Sequence, residues 1–170
     1  MAKAAVTVIC FFVVISCQKD AAQKEEVNSN NLQEANAATP ATPPFNLEVI
    51  LRGEDKAFGH VTFRQANDAA QVVTLDVWVR DLEPNHSYLL QRAVDTNLDG
   101  NCTGTAWLTL GQGLTPAAIE TDARGTGRAE LFRDLSALAA GTAFDINFRV
   151  VDAQTMAVVL TSDCYRYVVR

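Results

Sequence analysis

Residues 73–80 have the sequence Val-Thr-Leu-Asp-Val-Trp-Val-Arg, in which two sets of side chains alternate at every position. The apolar set is Val73, Leu75, Val77 and Val79, and the other set is Thr74, Asp76, Trp78 and Arg80. Because successive side chains of a β-strand point to opposite faces of the sheet, this alternation predicts a strand with one face toward a core and one toward water.

The same period of two occurs on both sides of this stretch. It begins at Phe45 and recurs around residues 47–51, 61–63, 144–150 and 165–169. Clusters of Gly, Pro, Asn and Asp separate the segments, and such clusters are typical of tight turns. The pattern therefore predicts many short strands joined by turns.

One segment has a different pattern. Residues 134–140, from Asp134 to a stop at Gly141, favour a helix of about two turns. We predict an all-β fold for residues 45–170, an antiparallel β-sandwich of about seven or eight strands with at most this one short helix.

Two motifs suggest a family of sandwiches. Residues 77–85, Val-Trp-Val-Arg-Asp-Leu-Glu-Pro-Asn, are followed by Tyr88. This run resembles the strand, Leu, Pro-Asn, Tyr corner of immunoglobulin-like and superoxide-dismutase-like domains. Residues 121–127, Thr-Asp-Ala-Arg-Gly-Thr-Gly, resemble a hairpin tip of such domains. The resemblance covers a small part of the domain and implies a fold, not a copper–zinc centre, which needs more His than His60 and His86.

The beginning of the chain predicts export. Residues 1–17, MAKAAVTVICFFVVISC, place Lys3 before an apolar run that is too short for a membrane-spanning helix and typical of a signal peptide. The run ends in Val14-Ile15-Ser16-Cys17, which resembles the lipobox of bacterial lipoproteins. That resemblance implies cleavage before Cys17 and a lipid anchor of two or three acyl chains on it. An ordinary secretory signal or an uncleaved anchor is the alternative.

The residues after Cys17 favour a cell-surface location. Gln18-Lys19-Asp20 resembles the surface-export tag of Bacteroidota-type lipoproteins, although Ala21 and Ala22 follow where further acids are expected. The resemblance implies an outer membrane lipoprotein at the cell surface, or otherwise on the periplasmic face. Residues 18–44 are polar and end in a Pro-rich stretch, so we predict a disordered tether between anchor and domain.

The chain is acidic, with 20 Asp and Glu against 14 Lys and Arg and a formal net charge of −6. All of its acidic residues lie beyond Cys17. A chain with this charge repels a phosphate backbone, so nucleic acid is excluded as a partner class.

The cysteine count predicts one disulfide. Of four cysteines, Cys10 leaves with the signal peptide and Cys17 carries lipid, so Cys102 and Cys164 remain. An exported chain meets an oxidising environment, in which an even pair of this kind forms a disulfide. A redox or metal-binding thiol pair is the alternative, but no Cys-x-x-Cys spacing or nearby His supports it.

Residues 95–100, Asp-Thr-Asn-Leu-Asp-Gly, match the first half of a calcium loop. Asp95, Asn97 and Asp99 are therefore candidate Ca²⁺ ligands. The twelfth position holds Ala106 where such loops have Glu, so another segment would have to supply carboxylates. A turn capped by its own Asp and Asn side chains is the alternative.

No catalytic set is recognisable in the sequence. His60 and His86 lie on separate segments, which favours structural or surface roles. Ser87 directly follows His86, and neighbours on a strand point to opposite faces, so a Ser–His pair is not expected. Gly111-Gln112-Gly113 is typical of a hairpin turn and not of a phosphate loop. Carboxylate pairs for glycoside hydrolysis stay open.

Trp78 lies on the polar side of its predicted strand. An outward Trp either contributes to a binding face for a sugar or protein, or is covered by another segment. We expect a membrane-anchored, non-enzymatic β domain that binds a protein or glycan partner at the cell envelope. The alternatives are a structural or assembly component of the envelope and a hydrolase with an unrecognised site.

Overall fold

The structure, a computed structural model, describes residues Phe45 to Arg170. The predictions for the signal peptide, for Cys17 and for the tether at residues 18–44 lie outside the described residues. In the described part, every regular element is a β-strand. No helix in this part is long and apolar enough to cross a membrane.

The described residues form twelve strands. They are β1 (Phe45–Arg52), β2 (Phe58–Gln65), β3 (Val72–Arg80), β4 (Ser87–Asp95), β5 (Leu108–Thr109), β6 (Gly111–Gln112), β7 (Thr115–Pro116), β8 (Ala118–Thr121), β9 (Gly127–Asp134), β10 (Ala143–Asp152), β11 (Val158–Ser162) and β12 (Tyr165–Val168). The strand predicted at residues 73–80 is β3, which pairs with β2 on one side and with β9 on the other.

Eight of these strands close into an antiparallel barrel, in the order β10-β11-β1-β2-β3-β9-β8-β4 and back to β10. The closing pair is β4 with β10, which are in register from Asp95 opposite Asp145 to Tyr88 opposite Asp152. Closure removes the two free edges that an open sheet would leave. The all-β antiparallel prediction is confirmed, but the strands form one closed sheet and not the two separate sheets of the expected sandwich.

The remaining strands lie outside this ring. β12 pairs with the first part of β10, from Ala143 to Ile146, and β11 pairs with its later part. The register of β10 against β11 shifts between Val150 and Val151, as at a β-bulge. β5 adds to β4, and the β6–β7 hairpin meets β9.

Most of the barrel interior is apolar, as the alternation in residues 73–80 predicted. Val73, Leu75, Val77 and Val79 are each at most 3% exposed. At one end of the barrel, the Phe63 ring makes edge-to-face contacts with Tyr167 at 4.9 Å and with Phe148 at 6.0 Å. Burial of such side chains is the main favourable contribution to folding.

Gln65 ties this end of the barrel to the end of the chain. Its side chain is fully buried, and its Oε1 accepts hydrogen bonds from the Tyr167 hydroxyl and, at 2.9 Å, from the Arg170 N–H. Its Nε2 donates to the Arg170 carbonyl at 3.2 Å. The buried amide is thus hydrogen-bonded through both of its polar atoms, as a buried polar group must be.

The helix predicted for residues 134–140 is wrong. Asp134 is the last residue of β9, and its Oδ1 accepts a 2.7 Å hydrogen bond from the Ser136 N–H. The Leu135 N–H donates to the Gln71 carbonyl at 3.0 Å, and the Leu138 N–H donates to the Leu135 carbonyl at 2.8 Å. Because so short a segment nucleates a helix poorly, the Asx turn and the tertiary bond to Gln71 decide its structure.

Candidate functional site

Strands β2, β3 and β9 present a polar outer surface, because the residues that alternate with core side chains face solvent. Two adjacent rows of directly opposed residues cross these three strands, His60–Trp78–Arg128 and Thr62–Asp76–Glu130. The register of the sheet therefore brings together residues from three separate stretches of sequence.

These six residues, with Val77 and Ala129, line an open groove of about 780 Å³, which we call the Trp78 groove. The Trp78 side chain is half-buried on the outer side of β3. The sequence singled out Trp78 as a binding residue and favoured a structural or surface role for His60, whereas Thr62, Asp76, Arg128 and Glu130 were missed. Alternation alone marks them as outward-facing, but only the register shows that they surround Trp78.

An aromatic contact supports the indole from one side. The Phe58 ring lies edge-to-face with the Trp78 ring at a centroid distance of 6.1 Å. The Arg80 guanidinium lies over the Phe58 ring, 5.2 Å from its centroid. The indole is therefore held by its neighbours and does not depend on a ligand for its position.

The groove and its border carry charges of both signs. His60 Nε2 lies 2.5 Å from Glu48 Oε2, and the Thr62 hydroxyl donates to the same carboxylate oxygen at 3.2 Å. Arg64 Nη1 contacts Asp76 Oδ2 at 3.5 Å. Both hydrogen-bond donors and acceptors thus lie in the groove and at its border.

A second polar cluster lies where β4 begins. His86 Nε2 lies 2.5 Å from Asp152 Oδ2, and the two side chains are only 17% and 15% exposed. The His86 ring also packs against Tyr88, whose hydroxyl accepts a 3.0 Å hydrogen bond from the Glu83 N–H. The corner identified at residues 77–88 is therefore closed by a side-chain to backbone hydrogen bond.

The Ser87 side chain takes no part in that cluster. Its hydroxyl donates to Glu120 Oε2 at 2.7 Å, on the neighbouring strand β8, while His86 is paired with Asp152. Ser87, the first residue of β4, and His86, which directly precedes it, thus have different partners.

The candidate calcium ligands lie at the last residue of β4 and in the loop that follows it, and their oxygens are engaged there. Asp95 Oδ1 accepts from the Asn97 N–H at 3.0 Å, and its Oδ2 accepts from the Thr103 hydroxyl at 2.6 Å. The Thr103 hydroxyl is the main reason that the pKa of Asp95 is lowered. The Asn97 side-chain amide donates to Asp99 Oδ2 at 2.5 Å.

Within Phe45–Arg170, no group of three or more acidic, His or Cys side chains is placed to hold a metal ion. The calcium site at Asp95, Asn97 and Asp99 therefore stays a prediction. The geometry of the loop accords with the alternative, a turn capped by its own side chains.

The predicted disulfide is confirmed. Cys102 and Cys164 are bonded, with their Cα atoms 5.4 Å apart and 62 residues between them in sequence. Beside it, the buried Asp145 accepts a 2.7 Å hydrogen bond from the Gly100 N–H through Oδ2 and contacts Arg166 Nε at 3.4 Å through Oδ1. The loop after β4 is therefore fixed to the β10–β12 region covalently and by hydrogen bonds.

No protein-family model matches this sequence, and no curated protein matches it at a significant level.

The Asp152 cluster predicts a specific pH dependence. The Thr155 N–H, followed by the His86 ring and the Gln154 N–H, holds the pKa of Asp152 well below its usual range. The resulting stabilisation is complete above the unfolded pKa of about 3.9 and is lost as the pH falls through the folded value. Asp152→Asn should therefore lower the urea midpoint at neutral pH, and the difference from the unaltered chain should shrink as the pH approaches about 2.

Asp163→Asn is the matched control. Because Asp163 is exposed, this substitution should change the urea midpoint little at any pH. A deficit of Asp152→Asn that is the same at neutral and acid pH would contradict the assignment.

Proposed function

We propose that this chain is an exported, lipid-anchored, non-enzymatic protein that binds a glycan in the Trp78 groove. The observation that carries the proposal is the combination of a half-exposed indole with hydrogen-bonding side chains of both signs. The groove lies on the outer face of a closed barrel, where a ligand much larger than the groove can extend into solvent.

The chemistry of the groove fits a sugar ring. A sugar has an apolar C–H face together with hydroxyl groups that both donate and accept hydrogen bonds. Trp78 offers an apolar ring, Asp76 and Glu130 are acceptors, and Arg128 is a donor. A few polar groups around an apolar contact are the usual composition of a small-molecule site.

A protein partner fits the described surface less well. Stable protein interfaces bury roughly 1,200–2,000 Å² and have an apolar centre. The large apolar side chains exposed on the described residues are Leu98, Leu114, Phe132, Leu138, Met156 and Val158. None of these six lines the Trp78 groove. The groove therefore offers one aromatic side chain but no cluster of exposed large apolar side chains, which a protein interface needs at its centre.

The proposal is of binding without catalysis. The Asp76 side chain is 59% exposed and contacts Arg64, and the groove is open to solvent. Acid–base cleavage of a glycosidic bond needs two carboxyl groups that flank the bond, one of them held protonated by its surroundings so that it can act as the acid. Solvated carboxylates are better suited to accepting hydrogen bonds from sugar hydroxyls.

Two features support the proposed location. The Cys102–Cys164 disulfide is typical of a protein that folds outside the reducing cytosol. The lipobox at residues 14–17 and the predicted tether at residues 18–44 would hold the barrel at the outer membrane, with its groove accessible from the medium. We place the barrel at the cell surface on the resemblance of Gln18-Lys19-Asp20 to a surface-export tag.

Trp78→Ala should weaken glycan binding strongly. A screen of the full-length chain against an array of bacterial and host polysaccharides identifies the ligand, and calorimetry then gives its affinity. Because a central Trp often dominates a binding site, we expect the substitution to weaken binding at least about tenfold.

Trp107→Ala is the matched control. Trp107 is the second Trp of the chain and stacks against the Arg149 guanidinium at 4.0 Å, away from the groove. It should bind the glycan as the unaltered chain does. Absence of any glycan ligand, or equal affinities for the Trp78→Ala and Trp107→Ala variants, would rule the proposal out.

The anchor has its own test. In a bacterial host that processes lipoproteins, the full chain should incorporate labelled palmitate, and Cys17→Ser should not, because Cys17 is the proposed acylation site. Cys10→Ser should be labelled normally, since Cys10 leaves with the signal peptide. Labelling that persists in Cys17→Ser would refute the lipid anchor and leave the glycan proposal standing.

A further inference from the structure

One end of the barrel contains a cavity of about 270 Å³ that is separate from the Trp78 groove. Its wall is mainly aromatic and aliphatic, and includes Phe63, Leu75, Val94, Phe144, Phe148 and Tyr167. The loop between β9 and β10 lies at its mouth, where Leu138 lines the cavity and is 37% exposed. The cavity is therefore an apolar chamber with a route to solvent.

Two arginines line this apolar chamber. Arg92 lies two residues after the fully buried Leu90 on the inward side of β4. Arg133 lies two residues after Leu131, which is 3% exposed, on the inward side of β9. Both are half-buried and both line the cavity. The barrel thus directs two positive charges toward its interior.

Neither charge has an acidic partner among the described residues. None of the ion pairs among the described residues includes Arg92 or Arg133, and no acidic side chain lines the cavity. Arg133 Nη1 donates to the Gly113 carbonyl at 3.2 Å. Burial, and then the neighbouring charge of Arg133, lowers the pKa of Arg92. Two like charges in an apolar chamber are unfavourable unless an anion joins them.

We propose that this cavity binds a small organic anion with an apolar body, of the class of medium-chain carboxylates. The carboxylate lies between Arg92 and Arg133, because the guanidinium fork matches its two oxygens. The hydrocarbon part packs against the aromatic wall around Phe63 and Phe148. This second ligand site is independent of the glycan proposal.

The volume sets the size of the ligand. Since a water molecule takes roughly 30 Å³ of liquid volume, the cavity has room for about nine non-hydrogen atoms. Octanoate is close to that size and combines the required charge with an apolar chain. Acetate has the charge without the chain, and octanol has the chain without the charge.

Calorimetric titration of the full-length chain tests the site, in a Cys17→Ser background so that no covalent acyl chain competes. Octanoate should bind with a stoichiometry near one and at least about tenfold more tightly than octanol or acetate. Equal binding of octanol would show an apolar cavity without anion recognition, and equal binding of acetate would show an adventitious anion only. Either result, or no binding of octanoate, overturns the proposal.

Substitutions place the binding in the cavity. Arg92→Met and Arg133→Met should each weaken octanoate binding at least about tenfold, whereas Arg124→Met, on the exposed turn between β8 and β9, should not.

A ligand-binding Arg also affects the stability of the unliganded protein. Arg92→Met should keep or raise the urea midpoint, because it removes a half-buried charge that has no partner. A lowered midpoint with unchanged octanoate affinity would assign Arg92 a purely structural role.

Discussion

The pairing of β4 with β10 is the constraint on which the rest of the structure depends. The Trp78 groove and the cavity lined by Arg92 and Arg133 lie on opposite sides of the same sheet. These sides become the outside and the inside of a barrel only when this pair closes the ring. With the pair formed, Leu90 and Arg92 face an enclosed space. Without this pair, β4 and β10 would be sheet edges, and the cavity that both strands line would open to water.

Covalent and polar contacts reinforce this closure. Cys102 follows β4, and Cys164 directly precedes β12, the strand that pairs with β10, so the disulfide joins elements on both sides of the closing pair. A disulfide that closes a loop of 62 residues stabilises the native state by about 4 kcal/mol in the chain-entropy model. The buried Asp145, on β10 itself, adds hydrogen bonds to Gly100 and Arg166. The closing pair is thus fixed at the end where β4 leaves the barrel.

Local pattern predicted much of this fold. Alternation in residues 73–80 correctly divided β3 into buried and outward residues, and counting cysteines identified the Cys102–Cys164 pair. Closure was not predictable in this way, because alternation describes the faces of one strand and does not specify its partners. The helix prediction at residues 134–140 failed for a related reason, since the hydrogen bond from Leu135 to the distant Gln71 outweighs a weak local preference.

The two candidate sites differ in how far the sequence revealed them. Trp78 stood out because an aromatic residue occupies a polar position of an alternating strand. Arg92 occupies the reverse position, a charged residue in the inward set of Tyr88, Leu90 and Val94, and the same reasoning applied to β4 would have found it. That Arg92 and Arg133 line the same cavity could be seen only in the folded barrel, because their strands, β4 and β9, are not hydrogen-bonded neighbours in the sheet.

Native-state hydrogen exchange tests the closed barrel most directly. If the β4–β10 pair closes the sheet, the ladder amides between Tyr88–Asp95 and Asp145–Asp152 exchange only through global unfolding, with the same free energy as the amides between β2 and β3. Exchange of the β4–β10 amides at a clearly lower free energy, while the β2–β3 amides stay protected, would show an open sheet and contradict the enclosed cavity.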